Sequence, residues 1–154
     1  MIASGRLASA QVYYNLFNPS AGCDLGDKWS TTNFENLIAT CQATGVAVMN
    51  IRIFAGGSLA SPEPHGRKMP ITRNSDIAVE QARAEMLFAA MAPDQRSRAQ
   101  ASARFRLAHS GIFGVVLGLP ELSRLEEALA AAAMGPSPED VIAELQPVWD
   151  GDFV

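Results

Sequence analysis

Gly45-Val46-Ala47-Val48-Met49-Asn50-Ile51-Arg52, which continues into Ala55-Gly56-Gly57, is the stretch that decides the fold. Residues 46–53 are almost continuously apolar, and this predicts a strand covered on both faces, as strands of parallel sheets usually are. A strand that leads through a short glycine-bearing loop toward a helix is the repeating unit of a parallel α/β sheet. The stretch therefore predicts one such unit.

Two further passages of the same kind flank this one. Ala10-Gln11-Val12-Tyr13-Tyr14-Asn15 precedes it and ends in a cluster of turn-forming residues at 18–22, and residues 112–117 follow it as a third predicted strand. Ligands of parallel α/β folds bind at the carboxyl ends of the strands. We therefore expect the chemistry directly after Asn15, Arg52 and Leu117.

Apolar residues at helical spacing predict helices between and after the strands. The first covers 32–44, with Thr31 or Thr32 as its cap; the second ends near Pro93, the third covers 94–109, the fourth follows the third strand, and the last begins at Ser137. The residues predicted to face inward are Phe34, Leu37, Ile38 and Cys41; Val79, Ala82, Met86 and Ala90; Ala101, Phe105 and Ala108; Leu122, Leu125 and Leu129; and Val141, Ile142, Leu145 and Trp149. Four arginines of the third helix, Arg96, Arg98, Arg104 and Arg106, are predicted to face mostly solvent.

Length and composition limit the fold and the partners. A complete (β/α)8 barrel needs about 250 residues, so 154 residues have room for only part of one. The net charge of −4 gives no general attraction to nucleic acid or to anionic lipid. No apolar run approaches the roughly 18 residues that cross a bilayer, and the first residues lack the apolar core of a secretory signal. A cytoplasmic protein is expected.

The residues that could support metal binding or catalysis do not form a recognisable pattern. Cys23 and Cys41 lack the spacing of a structural zinc site and are expected to be free thiols. Candidates for proton transfer are Tyr14, Asp24, Lys28, His65, Lys68 and His109. No spacing among them would hold a proton donor, a lysine and a carboxylate within hydrogen-bond reach. We therefore predict no catalytic residue and no metal ligand in this chain.

Taken together, these passages resemble the C-terminal half of an aldo/keto reductase. The matching pieces are 11–16 as the sixth barrel strand, 45–49 through 55–59 as the seventh strand and its loop, and 118–128 as the eighth strand and helix. The resemblance covers nearly the whole of 1–154 and implies an α/β fold: a partial (β/α)8 TIM barrel of three strand-helix units plus a C-terminal helix. It also implies hydride transfer between NADP or NAD and a small aldehyde, ketone or sugar. The family's Asp, Tyr, Lys and His tetrad comes from earlier strands, which are absent here.

The resemblance further implies a set of cofactor-binding positions. Gln11 would hydrogen-bond the nicotinamide carboxamide, unless it is a strand glutamine without a ligand. The loop after the seventh strand would wrap the pyrophosphate with Phe54, Ala55, Gly56 and Gly57, and Arg52 would contact phosphate or pair with an acidic neighbour. Gly118 and Leu119 would present a helix N-terminus to phosphate. Arg124 would bind the 2′-phosphate of NADP, unless it is a surface side chain.

Two positions depart from the family pattern. Many members carry Tyr or Trp where this chain has Ile51, which cannot stack on the nicotinamide ring. Pro120 replaces a frequent serine, which removes a hydroxyl and an amide donor.

Two hypotheses for the whole chain follow. The first is the cofactor side of an aldo/keto-reductase-like enzyme, as a truncated gene product or as one half of a split enzyme that an N-terminal half completes. The second is a non-catalytic α/β binding or interaction module. Open sheet edges and an uncovered sheet face would also favour self-association.

Overall fold

Three parallel strands form the centre of the fold. The computed structural model describes residues 2–4, 6–63, 76–91, 97–118 and 122–154. The strands are β1 (Ser9–Tyr13), β2 (Ala47–Ile51) and β3 (Gly114–Val116), and they pair in the order β1-β2-β3. All pairings are parallel, as predicted. The α/β fold class and its partial-barrel architecture are confirmed.

Helices and two short 3₁₀ turns connect and follow the strands. The helices are α1 (Leu37–Ala43), α2 (Ile77–Ala90), α3 (Arg98–Leu107), α4 (Leu122–Met134), α5 (Glu139–Ala143) and α6 (Gln146–Asp150). The 3₁₀ turns lie at Ile2–Ser4 and Ala55–Gly57. The strands are shorter than predicted because Asn15 leaves the sheet to pair with Asn18, and because Ile53 already lies in the turn after β2.

The two faces of the sheet differ in burial. Val12, Val48 and Asn50 are buried on the side that packs against the rest of the chain. Their alternating neighbours Gln11 and Met49, which oppose one another in the register, are exposed and half-buried. The sheet thus has one covered face and one open face, which is the arrangement that part of a barrel would leave.

The first helix begins later than predicted. It starts at Leu37, after Asn36 in a left-handed conformation (φ 52°), and neither threonine caps it. Asn18 Nδ2 instead donates to the Thr32 carbonyl at 2.8 Å, and the Phe34 amide donates to Ser20 Oγ at 2.9 Å. These bonds hold the segment against the preceding loop and delay the helix.

The buried face of α2 was predicted only in part, since Met86 and Ala90 are half-buried against the core. Val79 and Ala82 are exposed, and the buried residues are Glu80, Ala84, Leu87 and Phe88. A polar contact accompanies this inward orientation of Glu80, because its carboxylate accepts a hydrogen bond from Ser58 Oγ at 3.0 Å. A pattern of apolar residues alone could not show that a glutamate faces inward.

Two arginines of α3 were also predicted on the wrong side. Ala101 and Phe105 are buried as expected and Ala108 is half-buried, but Arg104 and Arg106 are buried too. Arg104 donates to the carbonyls of Gly135 and Pro136 at 3.1 and 3.2 Å, and Arg106 donates to the Ile112 carbonyl at 3.2 Å. Burial lowers the pKa of Arg106. Arg98 is half-buried, and Arg96 lies outside the described residues.

The leucines of α4 do not cover β3. Leu122, Leu125 and Leu129 are exposed, with 71% of Leu122 and 62% of Leu129 accessible to solvent. The helix packs on α3 instead, and Ala131 is its buried residue in a cluster with Ile53 and Ala103. An apolar stripe, defined here as Leu122, Leu125 and Leu129, therefore stays uncovered by the described residues.

The C-terminal helices confirm their predicted inner face but not their cap. Val141, Leu145 and Trp149 are buried and Ile142 is half-buried. Pro138, rather than Ser137, precedes the first helical residue, and the Ser137 hydroxyl makes no hydrogen bond within the described residues. Its backbone amide donates to the Arg104 carbonyl at 3.1 Å.

Candidate functional site

The carboxyl ends of the strands lie in step at one edge of the sheet. Tyr13 pairs with Ile51, and Ile51 pairs with Val116. Because all three strands are parallel, the segments that follow them leave the sheet on the same side. The predicted site residues that follow β2 and β3 therefore lie at this one edge. Gln11 lies on the open face of β1, two residues before the end of the strand at Tyr13.

The turn after β2 has an unusual backbone. Ala55, Gly56 and Gly57 have φ values of 45°, 70° and 113°, so three successive residues occupy the region that disfavours side chains. The Ala55 amide donates to the Arg52 carbonyl at 3.0 Å, and the Gly57 amide donates to the Phe54 carbonyl at 2.8 Å. The Gly56 amide donates to no described residue, and Gly56 is exposed whereas Ala55 is buried.

Arg52 links this turn to the end of β1. Its φ is 60°, its side chain is exposed, and its carbonyl accepts a hydrogen bond from Asn15 Nδ2 at 2.9 Å. Among the described residues no carboxylate pairs with Arg52. Strained backbone of this kind often occurs at ligand-binding turns.

Asparagine side chains after β1 hold the edge together, and sequence reasoning missed them. Asn15 is buried, and its Oδ1 accepts the amides of Phe17 and Asn18, both at 3.0 Å. Asn18 Oδ1 accepts the Ser20 hydroxyl at 2.6 Å. Short polar side chains that bind nearby backbone are typical of turns. The Asn-Pro-Ser cluster therefore indicates these side-chain hydrogen bonds as well as the end of the strand.

Two buried side chains from the helices anchor the turn, and these were also missed. Ser58 Oγ donates to Glu80 Oε2, and Ser102 Oγ donates to the Leu59 carbonyl at 2.8 Å. Glu80 and Ser102 are both almost fully buried. These two hydrogen bonds connect α2 and α3 to the residues that follow the glycines, and they hold the backbone of the turn in place.

The residues after β3 are only partly described. Gly118 is exposed, and a side chain there would meet nothing within 4 Å. Leu119 lies outside the described residues, as does Pro120. Arg124 is half-buried on α4, and its Nη1 donates to Glu127 Oε2 at 2.7 Å.

The candidate proton-transfer residues are dispersed. Tyr14 is buried on the covered side of the sheet, Asp24 and Lys28 are exposed in the loop after β1, and His109, just after α3, contacts the Gly22 carbonyl. His65 and Lys68 lie outside the described residues. In the described ranges, no three side chains of His, Cys, Asp or Glu are grouped to hold a metal ion. Cys23 and Cys41 are free.

A helix able to cross a bilayer is not found in the part of the chain that the structure describes.

Comparison with known proteins agrees with this geometry. The family model described as the Aldo/keto reductase family matches residues 4–150. The chain belongs to the aldo/keto reductase family. This confirms the resemblance predicted from the sequence. A comparison with curated proteins finds no match.

Solved aldo/keto reductases have the same fold over this region. The holo and apo forms of aldo-keto reductase AKR11C1 from Bacillus halodurans both superpose with a TM-score of 0.68 at 17% sequence identity. The match covers 96% of this chain but only 44% and 45% of those chains. The chain thus spans less than half the length of the aldo/keto reductases that it matches.

Replacing Gly57 should strain the turn, whereas replacing Gly118 should not. Both positions have open space for a side chain, but only Gly57 has a positive φ. We expect Gly57→Ala to lower the free energy of unfolding by about 1–3 kcal/mol and Gly118→Ala to change it by less than about 0.5 kcal/mol. Urea unfolding of both variants tests this. Equal stabilities would contradict the positive φ at Gly57.

Proposed function

We propose that this chain forms the dinucleotide-holding part of an NAD(P)-dependent aldo/keto reductase. The observation that carries the proposal is the turn Ala55–Gly57, which lies at the carboxyl edge of the sheet and leaves the Gly56 amide without a partner among the described residues. Backbone amides in a turn of positive φ form concave sites that favour anions. A pyrophosphate has the charge and the oxygen acceptors for such a site.

The other predicted positions would complete the cofactor contacts. Gln11, exposed on the open face, offers both an amide donor and a carbonyl acceptor to the nicotinamide carboxamide. Arg52 would meet phosphate, because its side chain is exposed at the same edge and pairs with no described carboxylate. Phe54 and Ala55 would line the turn, and Gly118 and Leu119 would approach phosphate from the next strand.

Arg124 bears on the choice between NADP and NAD. A guanidinium is the preferred partner of a phosphate monoester, but this one already contacts Glu127. Binding of a 2′-phosphate would exchange the carboxylate for the phosphate. NADP is therefore proposed only if Arg124 can leave Glu127 when the ligand arrives.

Turnover requires groups that the described residues do not bring together. We propose that an N-terminal half supplies the acid-base tetrad and encloses the open face of the sheet, and that the completed protein reduces small aldehydes, ketones or sugars. Tyr14 cannot take the role of a proton donor at the open face, since its ring packs on the covered side against Phe105.

A second candidate function is a non-catalytic interaction module. The apolar stripe of α4 favours it, since three exposed leucines on one helix face are typical of a protein contact. This candidate needs no dinucleotide, so cofactor binding separates it from the first.

Binding of NADPH should depend on Gln11. We expect saturable binding by the purified chain, measured by nicotinamide fluorescence, and a loss of about tenfold in affinity for Gln11→Leu, equivalent to ~1.4 kcal/mol. The control is Ser9→Ala, two residues earlier on the same face of β1, which should bind like the unaltered chain. Absence of binding by the folded chain would rule out the first candidate and leave the interaction module.

The apolar stripe should drive association. We expect the unaltered chain to form oligomers whose sedimentation coefficient rises with concentration. Leu125→Glu with Leu129→Glu should shift the population toward monomer, because charge opposes burial of the stripe. Ala130→Glu, an exposed position on the same helix outside the stripe, is the matched control. A monomeric unaltered chain would contradict the prediction.

A further inference from the structure

A cavity of about 200 Å³ lies on the covered side of the sheet, and none of the predicted cofactor-binding residues is in its wall. Its walls come from four parts of the chain: Tyr14 after β1, Gly22 and Cys23 in the following loop, Phe105 and His109 near the end of α3, and the C-terminal helices with Trp149. No aspartate, glutamate, lysine or arginine lines it. This cavity plays no part in the dinucleotide proposal.

Four aromatic rings form part of its wall. Tyr14 stacks on Phe105 with the ring centroids 5.1 Å apart, and Phe105 packs against Trp149 at 5.8 Å. The His109 ring meets Tyr14 edge-on at 5.4 Å. Offset and edge-to-face ring contacts are the favoured geometries, so the wall is preformed for another flat ring.

Most polar groups in the wall are already hydrogen-bonded. Trp149 Nε1 donates to the Leu16 carbonyl at 2.9 Å, and Cys23 Sγ donates to the Pro19 carbonyl at 3.4 Å. The Gly111 amide donates to His109 Nδ1 at 3.1 Å, which places the His109 proton on Nε2, 3.2 Å from the Gly22 carbonyl. Because of these hydrogen bonds, the indole, thiol and imidazole groups have little capacity left to hydrogen-bond a ligand.

Tyr14 is an exception. The residue is only 5% exposed, it lines the cavity, and its hydroxyl bonds to no described residue. A hydroxyl that lines a cavity without an internal hydrogen bond can donate to an acceptor on a ligand.

The electrostatic surroundings select against anions. Burial, followed by the neighbouring Cys23 once its thiol is ionised, raises the pKa of Tyr14, so its hydroxyl keeps its proton at neutral pH. Burial, and then the carboxylates of Asp24 and Asp150, raise the pKa of Cys23 to about 11. The same carboxylates would repel an anionic ligand.

We propose that this cavity binds a neutral, single-ring aromatic compound whose hydrogen-bond acceptor receives the Tyr14 hydroxyl. The size agrees, since a cavity of about 150 Å³ is enough for benzene. The ring would lie against Phe105 and Trp149, and the acceptor would point to Tyr14.

Acetophenone is a suitable probe, and α-methylstyrene, with a methylene in place of the carbonyl oxygen, is its matched control. Titration of the full chain is followed by NMR at the Trp149 indole N–H and the His109 ring. We expect saturable shifts at both with acetophenone. Tyr14→Phe should weaken acetophenone binding at least about fivefold and leave α-methylstyrene binding unchanged. Tyr13→Phe, on the open face, should leave both unchanged.

A second variant keeps the proposal testable if Tyr14→Phe does not fold. Ala108→Leu narrows the cavity without touching the hydroxyl and should abolish binding of both compounds. The proposal is overturned if acetophenone gives no saturable shift in the folded, unaltered chain. It is equally overturned if a folded Tyr14→Phe binds acetophenone as well as the unaltered chain does, or if Ala108→Leu retains binding.

Discussion

Parallel pairing with the strand ends in step is the constraint on which the rest of the structure depends. Tyr13, Ile51 and Val116 share one register, so the segments after the strands emerge together. Two asparagines reinforce the arrangement across the strands. Asn50 Nδ2 donates to the Val12 and Tyr14 carbonyls at 3.1 and 2.9 Å, and Asn15 Nδ2 donates to the Arg52 carbonyl. The edge and its turn are therefore one hydrogen-bonded unit.

The sequence revealed features that depend on neighbouring residues and concealed those that depend on distant ones. The apolar run 46–53 and the glycine pair predicted β2 and its turn because both signals are local. The inner face of α2 was missed in part because Glu80 faces inward toward Ser58, 22 residues away. Arg104 was missed for the same reason, since its carbonyl partner Gly135 is 31 residues away. Hydropathy patterns contain no information about such partners.

The prediction that the leucines of α4 face inward was wrong for another reason. Their spacing correctly indicates an amphipathic helix, but no described element covers them, and the face of β1 and β2 that carries Gln11 and Met49 is also open. Both surfaces occur in a chain that matches less than half the length of solved aldo/keto reductases. The uncovered surfaces and the short match have one common explanation, which is that the fold as described is part of a barrel.

The most direct test of the account is an NMR titration of the ¹⁵N-labelled chain with NADPH. If the in-step strand ends form the dinucleotide site, the largest saturable shifts will fall on the amides of Gly56, Gly57 and Gly118 and on the Gln11 side-chain amide. Residues at the amino ends of the strands, such as Ser9 and Ala47, should barely move. Saturable shifts confined to those amino ends, or no shifts in a folded chain, would contradict the account.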